Sequence, residues 1–119
     1  FLKSKESELG SYLFCFDKIS GFNSKNIKTI LDKIIAKNKS SIVCLAQENS
    51  SKFEFFCMVS DDVKKEISAK DVVAHLNNAL DFTGGGKDVY AQCGKKIESS
   101  FSEEFNKVKT SIENFIGRK

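Results

Sequence analysis

Short, almost wholly apolar runs along this chain predict the strands of a β-sheet. Residues 12–16 and 42–46 are apolar at every position, which is typical of strands buried on both faces. Residues 53–59 form a third run, interrupted by one glutamate. The polar turn at 47–51 predicts a hairpin between the second and third runs. The three runs therefore predict the centre of the sheet.

Three longer segments carry apolar residues at the spacing of one helical face. The first begins at Asn23, whose side chain can cap a helix N-terminus. The second begins at Ser68, which has capping-box spacing to Asp71, and the third begins at Ser100. The first and third stripes consist of Ile27, Ile30, Leu31, Ile34 and Ile35, and of Phe101, Phe105, Val108, Ile112 and Phe115. Because the first helix is a crossover between the first two runs, we expect those strands to lie parallel.

These elements predict an α+β domain in which a small mixed β-sheet packs with helices. Their order is β-α-β-β-α-(glycine loop)-β-α, with the last short strand at 89–93. The chain has 119 residues, enough to bury one core without disulfides or a metal. We expect the polar residues 1–10 to be the end of a preceding helical or linker segment of a longer protein, and residues 11–119 to form the globular domain.

The charged residues indicate which chemical groups of a binding partner this chain could contact. The net charge is +3, and Arg118 is the sole arginine among 19 lysines and arginines. Arginine forks read guanine and paired phosphates, so a lysine surface favours contact with a phosphate backbone over base readout. The alternative is an ordinary solvated surface whose lysines balance the 16 acids.

The spacing of cysteine and histidine argues against a metal or catalytic centre. Cys15, Cys44, Cys57 and Cys93 occur singly and His75 is the one histidine, whereas zinc sites need clustered ligands. We expect the cysteines to pack in the core, His75 to be structural or exposed, and no residue to be catalytic. Reduced thiols predict a cytoplasmic protein. No apolar run approaches a membrane span, which needs about 20 residues.

Four of the seven glycines lie close together, at Gly84, Gly85, Gly86 and Gly94. Three consecutive glycines can take positive φ angles and leave their N–H groups open to an anion or a ribose phosphate. Their spacing matches neither GxGxxG nor a P-loop, so ordinary mononucleotide folds are disfavoured. The alternative is a flexible connector or tight turn that binds nothing.

The glycines belong to a longer motif. Gly84-Gly85-Gly86-Lys87, followed by Ala91-Gln92-Cys93-Gly94, resembles the signature of the DHHA1-type domain at the C-terminus of alanyl-tRNA synthetases. The resemblance extends over residues 11–115 and implies a tRNA-binding appendage. Such an appendage contacts the outer corner, or elbow, of tRNA, supports aminoacylation and editing, and contributes to homodimerisation.

The resemblance also implies partners, cofactors and site residues. The partners would be tRNA and the rest of the synthetase chain, with no membrane involved. The parent enzyme would use ATP, Mg²⁺ and Zn²⁺, but their sites have no counterpart here, so no cofactor is expected in this domain. The candidate nucleic-acid-binding residues are Gly84, Gly85, Gly86, Lys87, Tyr90, Gln92, Lys95 and Lys96. Tyr90 could stack on a base or ribose, although an aromatic residue in a strand also serves as core.

Two other functions stay open. The same domain type holds the substrate in DHH phosphoesterases and single-strand exonucleases, which carry an Asp-His-His metal domain upstream. A structural dimerisation module is the second alternative, and it would show a large apolar surface patch and no response to RNA. The residues that precede position 1 would distinguish a synthetase from a phosphoesterase.

Overall fold

The computed structural model describes residues 6–9 and 12–117, which contain six strands and three helices. The strands are β1 (Glu6–Leu9), β2 (Tyr12–Lys18), β3 (Ser41–Asn49), β4 (Lys52–Val59), β5 (Thr83–Gly86) and β6 (Tyr90–Lys96). The helices are α1 (Ser24–Lys37), which follows β2, α2 (Ala69–Leu80), which follows β4, and α3 (Phe101–Gly117), which follows β6. This order confirms the predicted α+β class and adds two short strands to it.

The six strands form one mixed sheet in the order β1-β2-β3-β4-β6-β5. β2 and β3 lie parallel, as the crossover helix predicted, and every other neighbouring pair is antiparallel. The β3–β4 hairpin closes through Ser50 and Ser51, whose φ angles of 52° and 67° suit a two-residue primed turn. The turn is therefore shorter than the predicted 47–51, and Gln47 lies within β3.

Residues 1–10 were expected to be the end of a preceding helical or linker segment, but the described part of them, Glu6–Leu9, forms a strand of the sheet. This strand, β1, pairs antiparallel with β2, and Glu6 lies opposite Cys15. Its sequence shows no apolar run. An edge strand does not need one, because backbone hydrogen bonds to the neighbouring strand can hold it in place. The expectation for residues 1–5 and 10 falls outside the described residues, and the proposed extent of the domain, 11–119, stays a prediction.

The triple glycine, expected as a loop, forms the extended edge strand β5 against β6. Among the described glycines, a positive φ occurs at Gly21, at 80°, and not in β5. The space between β5 and β6 explains the glycines. A Cβ atom on Gly84 or on Gly86 would lie 2.5 Å from a Cα atom of β6. Glycine therefore permits close packing of two strands here, rather than a left-handed turn.

The two faces of the sheet are covered unequally. Helices α2 and α3 pack on one face, called the α2/α3 face below, where aromatic rings from the sheet and α3 meet. There Phe53 stacks on Phe101 at 5.0 Å between ring centroids, and Phe16 meets Phe105 edge to face at 4.7 Å. Helix α1 packs its predicted stripe on the other face, the α1 face, against β2, β3 and β4. The part of this face formed by β4, β6 and β5 stays partly open.

The predicted caps fix where the helices begin. Asn23 accepts a hydrogen bond at 2.8 Å from the third N–H beyond it, at the start of α1. Ser68 and Asp71 form the reciprocal capping box at the start of α2, at 3.0 and 3.2 Å. Ser100 accepts the N–H three residues later at 3.2 Å. The start of α1 is the one that borders the open part of the sheet.

Candidate nucleic-acid interface

A groove of about 500 Å³ lies on the α1 face, between the first turn of α1 and the strands β4, β6 and β5. Of the predicted site residues, the groove is bordered by Gly84, Gly85, Gln92, Lys95 and Lys96. Gly86 and Lys87 lie past this lining, at the turn end of the β5–β6 hairpin. The groove exists because α1 covers only part of the face and because the glycines of β5 have no side chains to fill it.

Apart from Thr83, strand β5 borders the groove with main chain alone. All four of its residues, Thr83–Gly86, are exposed, and a Cβ on Gly85 would meet no atom within 4 Å. The turn after β5 is closed by a hydrogen bond of 2.8 Å from the Lys87 N–H to the Tyr90 carbonyl. In an antiparallel edge strand, every second N–H group bonds the neighbouring strand. The N–H groups of β5 that lie between those bonded to β6 therefore point away from β6. A ligand can therefore approach the backbone of this strand closely.

Alternation along β6 puts Tyr90, Gln92 and Lys96 on the α1 face. The Tyr90 hydroxyl donates to Oε1 of Gln92 at 3.2 Å, and the Lys28 ammonium lies 5.6 Å from the centroid of the Tyr90 ring. Burial raises the pKa of Tyr90, and the nearby charge of Asp32 raises it further. Because Tyr90 packs partly against α1, it joins the helix to the sheet rather than standing free in the groove.

The ammonium group of Lys95 is separated from these residues, since alternation turns it to the α2/α3 face. It lies 3.5 Å from carboxylate oxygens of both Glu98 and Glu104, and 5.9 Å from the centroid of Phe82. Burial acts to raise the pKa of Glu104, but hydrogen bonds from the N–H groups of Glu98 and Ser99, together with Lys95, bring that pKa below its usual value. The structure therefore does not bring Lys95 together with Gln92 and Lys96.

Sequence reasoning missed several groove residues, among them the polar residues Ser24, Lys52 and Glu54. Lys52 lies directly opposite Lys96 in the β4–β6 ladder, on the α1 face. Like charges opposite each other in a sheet repel, and within residues 12–117 neither lysine forms an ion pair. The sequence could not reveal this pair, because β4 and β6 are neighbours in the sheet but not along the chain.

The cysteines and His75 serve packing. All four cysteines are buried thiols, and burial, with Cys57 contributing, raises the pKa of Cys93 to about 12. Nε2 of His75 lies 2.7 Å from Oγ of Ser111, and its ring stacks on Phe115 at 4.6 Å, which joins α2 to α3. These findings confirm the predicted structural roles.

The part of the chain that the structure describes contains neither a metal-binding cluster nor a membrane-spanning helix. Among its residues, no three acidic, cysteine or histidine side chains converge on a point that could hold a metal ion. None of the helices formed by these residues is both long enough and apolar enough to cross a membrane. Of the surface cavities in this part of the chain, the groove on the α1 face is the one bordered by most of the predicted site residues.

The sequence matches a known family along nearly its whole length. Residues 11–117 match the DHHA1 domain family. The alanine–tRNA ligase of Lawsonia intracellularis is 30% identical over 96 residues, which are 81% of this chain and 11% of that enzyme. The alanine–tRNA ligase of Psychrobacter cryohalolentis is 28% identical over 99 residues, which are 83% of this chain and 11% of that enzyme. The chain thus spans a small part of these relatives.

Solved structures share the fold. The C-Ala domain of the Aquifex aeolicus alanyl-tRNA synthetase superposes with a TM-score of 0.76 at 23% identity, covering 92% of this chain and 98% of that one. PggH, a pGpG-specific phosphodiesterase of Vibrio cholerae, superposes with a TM-score of 0.51 at 14% identity, covering 98% of this chain and 36% of that one. At these identities the likeness establishes the fold alone. The match over residues 11–117 establishes the family, and the chain belongs to the DHHA1 domain family.

Proposed function

We propose that this DHHA1 domain binds tRNA through its sugar–phosphate backbone, as an appendage of an alanine–tRNA ligase. The observation that carries the proposal is the strand β5, with three consecutive glycines, which borders the same groove as the opposed pair Lys52 and Lys96. The alanine–tRNA ligases of Lawsonia intracellularis and Psychrobacter cryohalolentis support this parent enzyme, because each aligns with more than four fifths of the chain.

The residues around the groove suit a phosphate backbone more than base edges. Lys52 and Lys96 offer two ammonium charges at one end, and Lys87 offers another beyond β5. Lysine is a point charge without the planar fork that reads guanine, and the single arginine, Arg118, lies outside the described residues. Backbone contacts of this kind position a nucleic acid but carry little sequence information.

The proposed site keeps most of the residues that the sequence singled out. They are Gly84, Gly85, Gly86, Lys87, Tyr90, Gln92 and Lys96, to which the structure adds Lys52. Lys95 is given a supporting role, since its ammonium group lies beside Glu104 on the α2/α3 face. Tyr90 would act through its hydroxyl and Gln92 more than through base stacking, because its ring packs partly against α1.

The full proposal places the domain at the elbow of tRNA. A folded tRNA corner presents phosphates and ribose groups in a fixed shape, which a rigid sheet face can recognise without base readout. Contact there would help one tRNA serve both aminoacylation and editing by the rest of the synthetase chain, in the cytoplasm. ATP, Mg²⁺ and Zn²⁺ would act in other domains of that enzyme, and homodimerisation is a further role of the same appendage.

The test is a paired lysine substitution. Changing Lys52 and Lys96 together to glutamine should weaken binding of all tRNAs alike. It should also flatten the slope of log affinity against log salt by about 1.4–1.8, because each phosphate contact contributes about 0.7–0.9. The matched control changes Lys65 and Lys107 to glutamine, which removes the same charge from exposed positions on the side of α2 and α3. Affinity measured at several salt concentrations gives both quantities.

The outcome also separates the alternatives. An unchanged salt slope in the Lys52 and Lys96 variant, or an equal change in the control, would remove the groove from the interface. A single strand bound more tightly than folded tRNA would favour the substrate-holding role of a DHH phosphoesterase or exonuclease. No RNA binding by the 119-residue chain, together with a concentration-dependent dimer, would favour a structural module.

A further inference from the structure

Glu54 places a carboxylate in the groove. It lies on β4, two residues after Lys52 and on the same face, and it borders the groove between α1 and β6. Its neighbour across the ladder in β6 is Gly94, which has no side chain to cover it. Within residues 12–117, Glu54 is not ion-paired with either groove lysine. An unneutralised acid therefore lies among the lysines proposed to contact phosphate.

The Glu54 carboxylate is held in a defined position. Nε2 of the buried Gln47 donates to its Oε1 at 2.8 Å and also to the Phe22 carbonyl at 2.7 Å. The Asn49 amide lies 3.5 Å from the other oxygen, Oε2. Because Gln47 is anchored to the segment that leads into α1, the carboxylate cannot swing freely toward Lys52. Its orientation is set by the fold, and its remaining acceptor capacity stays available in the groove.

The presence of the Glu54 carboxylate in a groove proposed to bind phosphates calls for a chemical explanation. The carboxylate repels phosphates nearby, and so it weakens binding of any polyanion that offers it nothing in return. A ribose hydroxyl offers a hydrogen-bond donor at every nucleotide, whereas deoxyribose lacks the 2′-hydroxyl. We propose that Glu54 accepts a hydrogen bond from a ribose 2′-hydroxyl and makes the groove selective for RNA over DNA. This inference rests on the proposed binding of a nucleic-acid backbone in the groove.

The geometry divides the groove between two recognition tasks. Lys52 and Lys96 lie at its end and attract the phosphates that RNA and DNA share. Glu54, one step inward on the same face, distinguishes the two sugars. With DNA, the carboxylate keeps its repulsion of the phosphates and gains no hydrogen bond. With RNA, the hydrogen bond from the 2′-hydroxyl to the carboxylate offsets that repulsion, so the carboxylate weakens the binding of DNA more than the binding of RNA.

The test compares RNA, DNA and 2′-O-methyl RNA of one hairpin sequence. The unchanged protein should bind RNA about tenfold more tightly than either analogue, the factor expected for one hydrogen bond to a charged group. Glu54→Gln should bring the three affinities close together, by weakening RNA binding and strengthening DNA binding. Glu54→Asp keeps the charge but shortens its reach, so it should lose the preference for RNA without gaining affinity for DNA.

Controls separate this role from a structural one. Glu48→Gln removes the same charge from an exposed position whose side chain is on the opposite face of β3, and it should leave the RNA preference unchanged. Equal binding of RNA and 2′-O-methyl RNA by the unchanged protein would overturn the inference without requiring any variant to fold. A preference for RNA that survives in Glu54→Gln would also overturn it, while the lysine result would still support the proposed function. Absence of binding to all three hairpins by a chain that still binds folded tRNA would overturn this inference and leave the proposed function standing.

Discussion

The α2/α3 face and the α1 face of the sheet are formed by the same strands, but the first is a closed core and the second contains an open, charged groove. On the α2/α3 face, buried aromatic residues are closed over by two helices, and the one groove lysine that reaches it, Lys95, is neutralised by Glu104. On the α1 face, one helix leaves room for a groove in which Lys52 and Lys96 form no ion pair with any residue of the described range 12–117. Unfavourable charge placement is tolerated where the face is open and the other face supplies the stability.

Adjacent residues of β4 show the contrast within one strand. Phe55 points to the α2/α3 face and is fully buried, 6.2 Å from Phe16 between ring centroids. Phe56 points to the α1 face, is also buried, and borders the groove. Because successive side chains of a strand point to opposite faces, a phenylalanine is fully enclosed at one position of β4 and borders the open groove at the next.

The largest predicted effect is the loss of folding stability when Phe55 or Phe56 is truncated to alanine. Phe55→Ala should lower the free energy of unfolding by about 3–5 kcal/mol, because it leaves a cavity in a core that cannot collapse. Phe56→Ala should cost at least about 1 kcal/mol less, because the vacated space opens to the groove and water can fill it. Denaturant unfolding of both variants measures the difference. Equal losses would show that the two faces are packed alike and would break the comparison.

The glycines of β5 give a second, smaller contrast. Gly86→Val should destabilise the protein by about 1–3 kcal/mol or more, since the side chain would press into the main chain of β6. Gly85→Val should leave the melting temperature nearly unchanged, because its Cβ would meet no atom within 4 Å, yet it should weaken tRNA binding by blocking the groove. Thermal unfolding and tRNA affinity are measured on the same samples. Unaltered tRNA binding by Gly85→Val would remove β5 from the interface.

The smallest effect concerns the buried carboxylate of the α2/α3 face. Glu104→Gln should destabilise the protein by about 1–2 kcal/mol at neutral pH, because the neutral amide receives the Glu98 and Ser99 N–H groups less well. The folded-state pKa of Glu104 lies below its ordinary value of 4.5. Its contribution to stability is therefore complete above that value and is lost as pH falls through the folded pKa.

The pH dependence provides the check on this assignment. The stability difference between the protein and Glu104→Gln should shrink as pH falls below 4.5 and through the folded-state pKa of Glu104, since both side chains are neutral once Glu104 is protonated. Glu103→Gln, one residue earlier and exposed, should show little loss at any pH. A stability difference for Glu104→Gln that stays constant down to low pH would mean that packing, rather than charge, holds this residue.

The amino-acid sequence alone was enough to predict the main elements of the fold. Three apolar runs, three helical stripes and the caps at Asn23 and Ser68 are local signals, and each one depends on residues within a few positions of one another. The glycine motif likewise indicated the family, and the match over residues 11–117 confirms it. The strand Glu6–Leu9 escaped prediction because its pairing with β2, rather than an apolar pattern of its own, makes it a strand.

The tertiary structure decided which residues share the groove. The register of β4 against β6 puts Lys52 beside Lys96 and Glu54 beside Gly94, and no local pattern in the sequence encodes that register. Alternation along β6 then sends Lys95 to the α2/α3 face, although it is adjacent in sequence to Lys96. The close approach of β5 to β6 likewise explains Gly84 and Gly86 as packing residues. Contacts between distant segments of the chain determine a binding face, whereas local periodicity determines only the elements that form it.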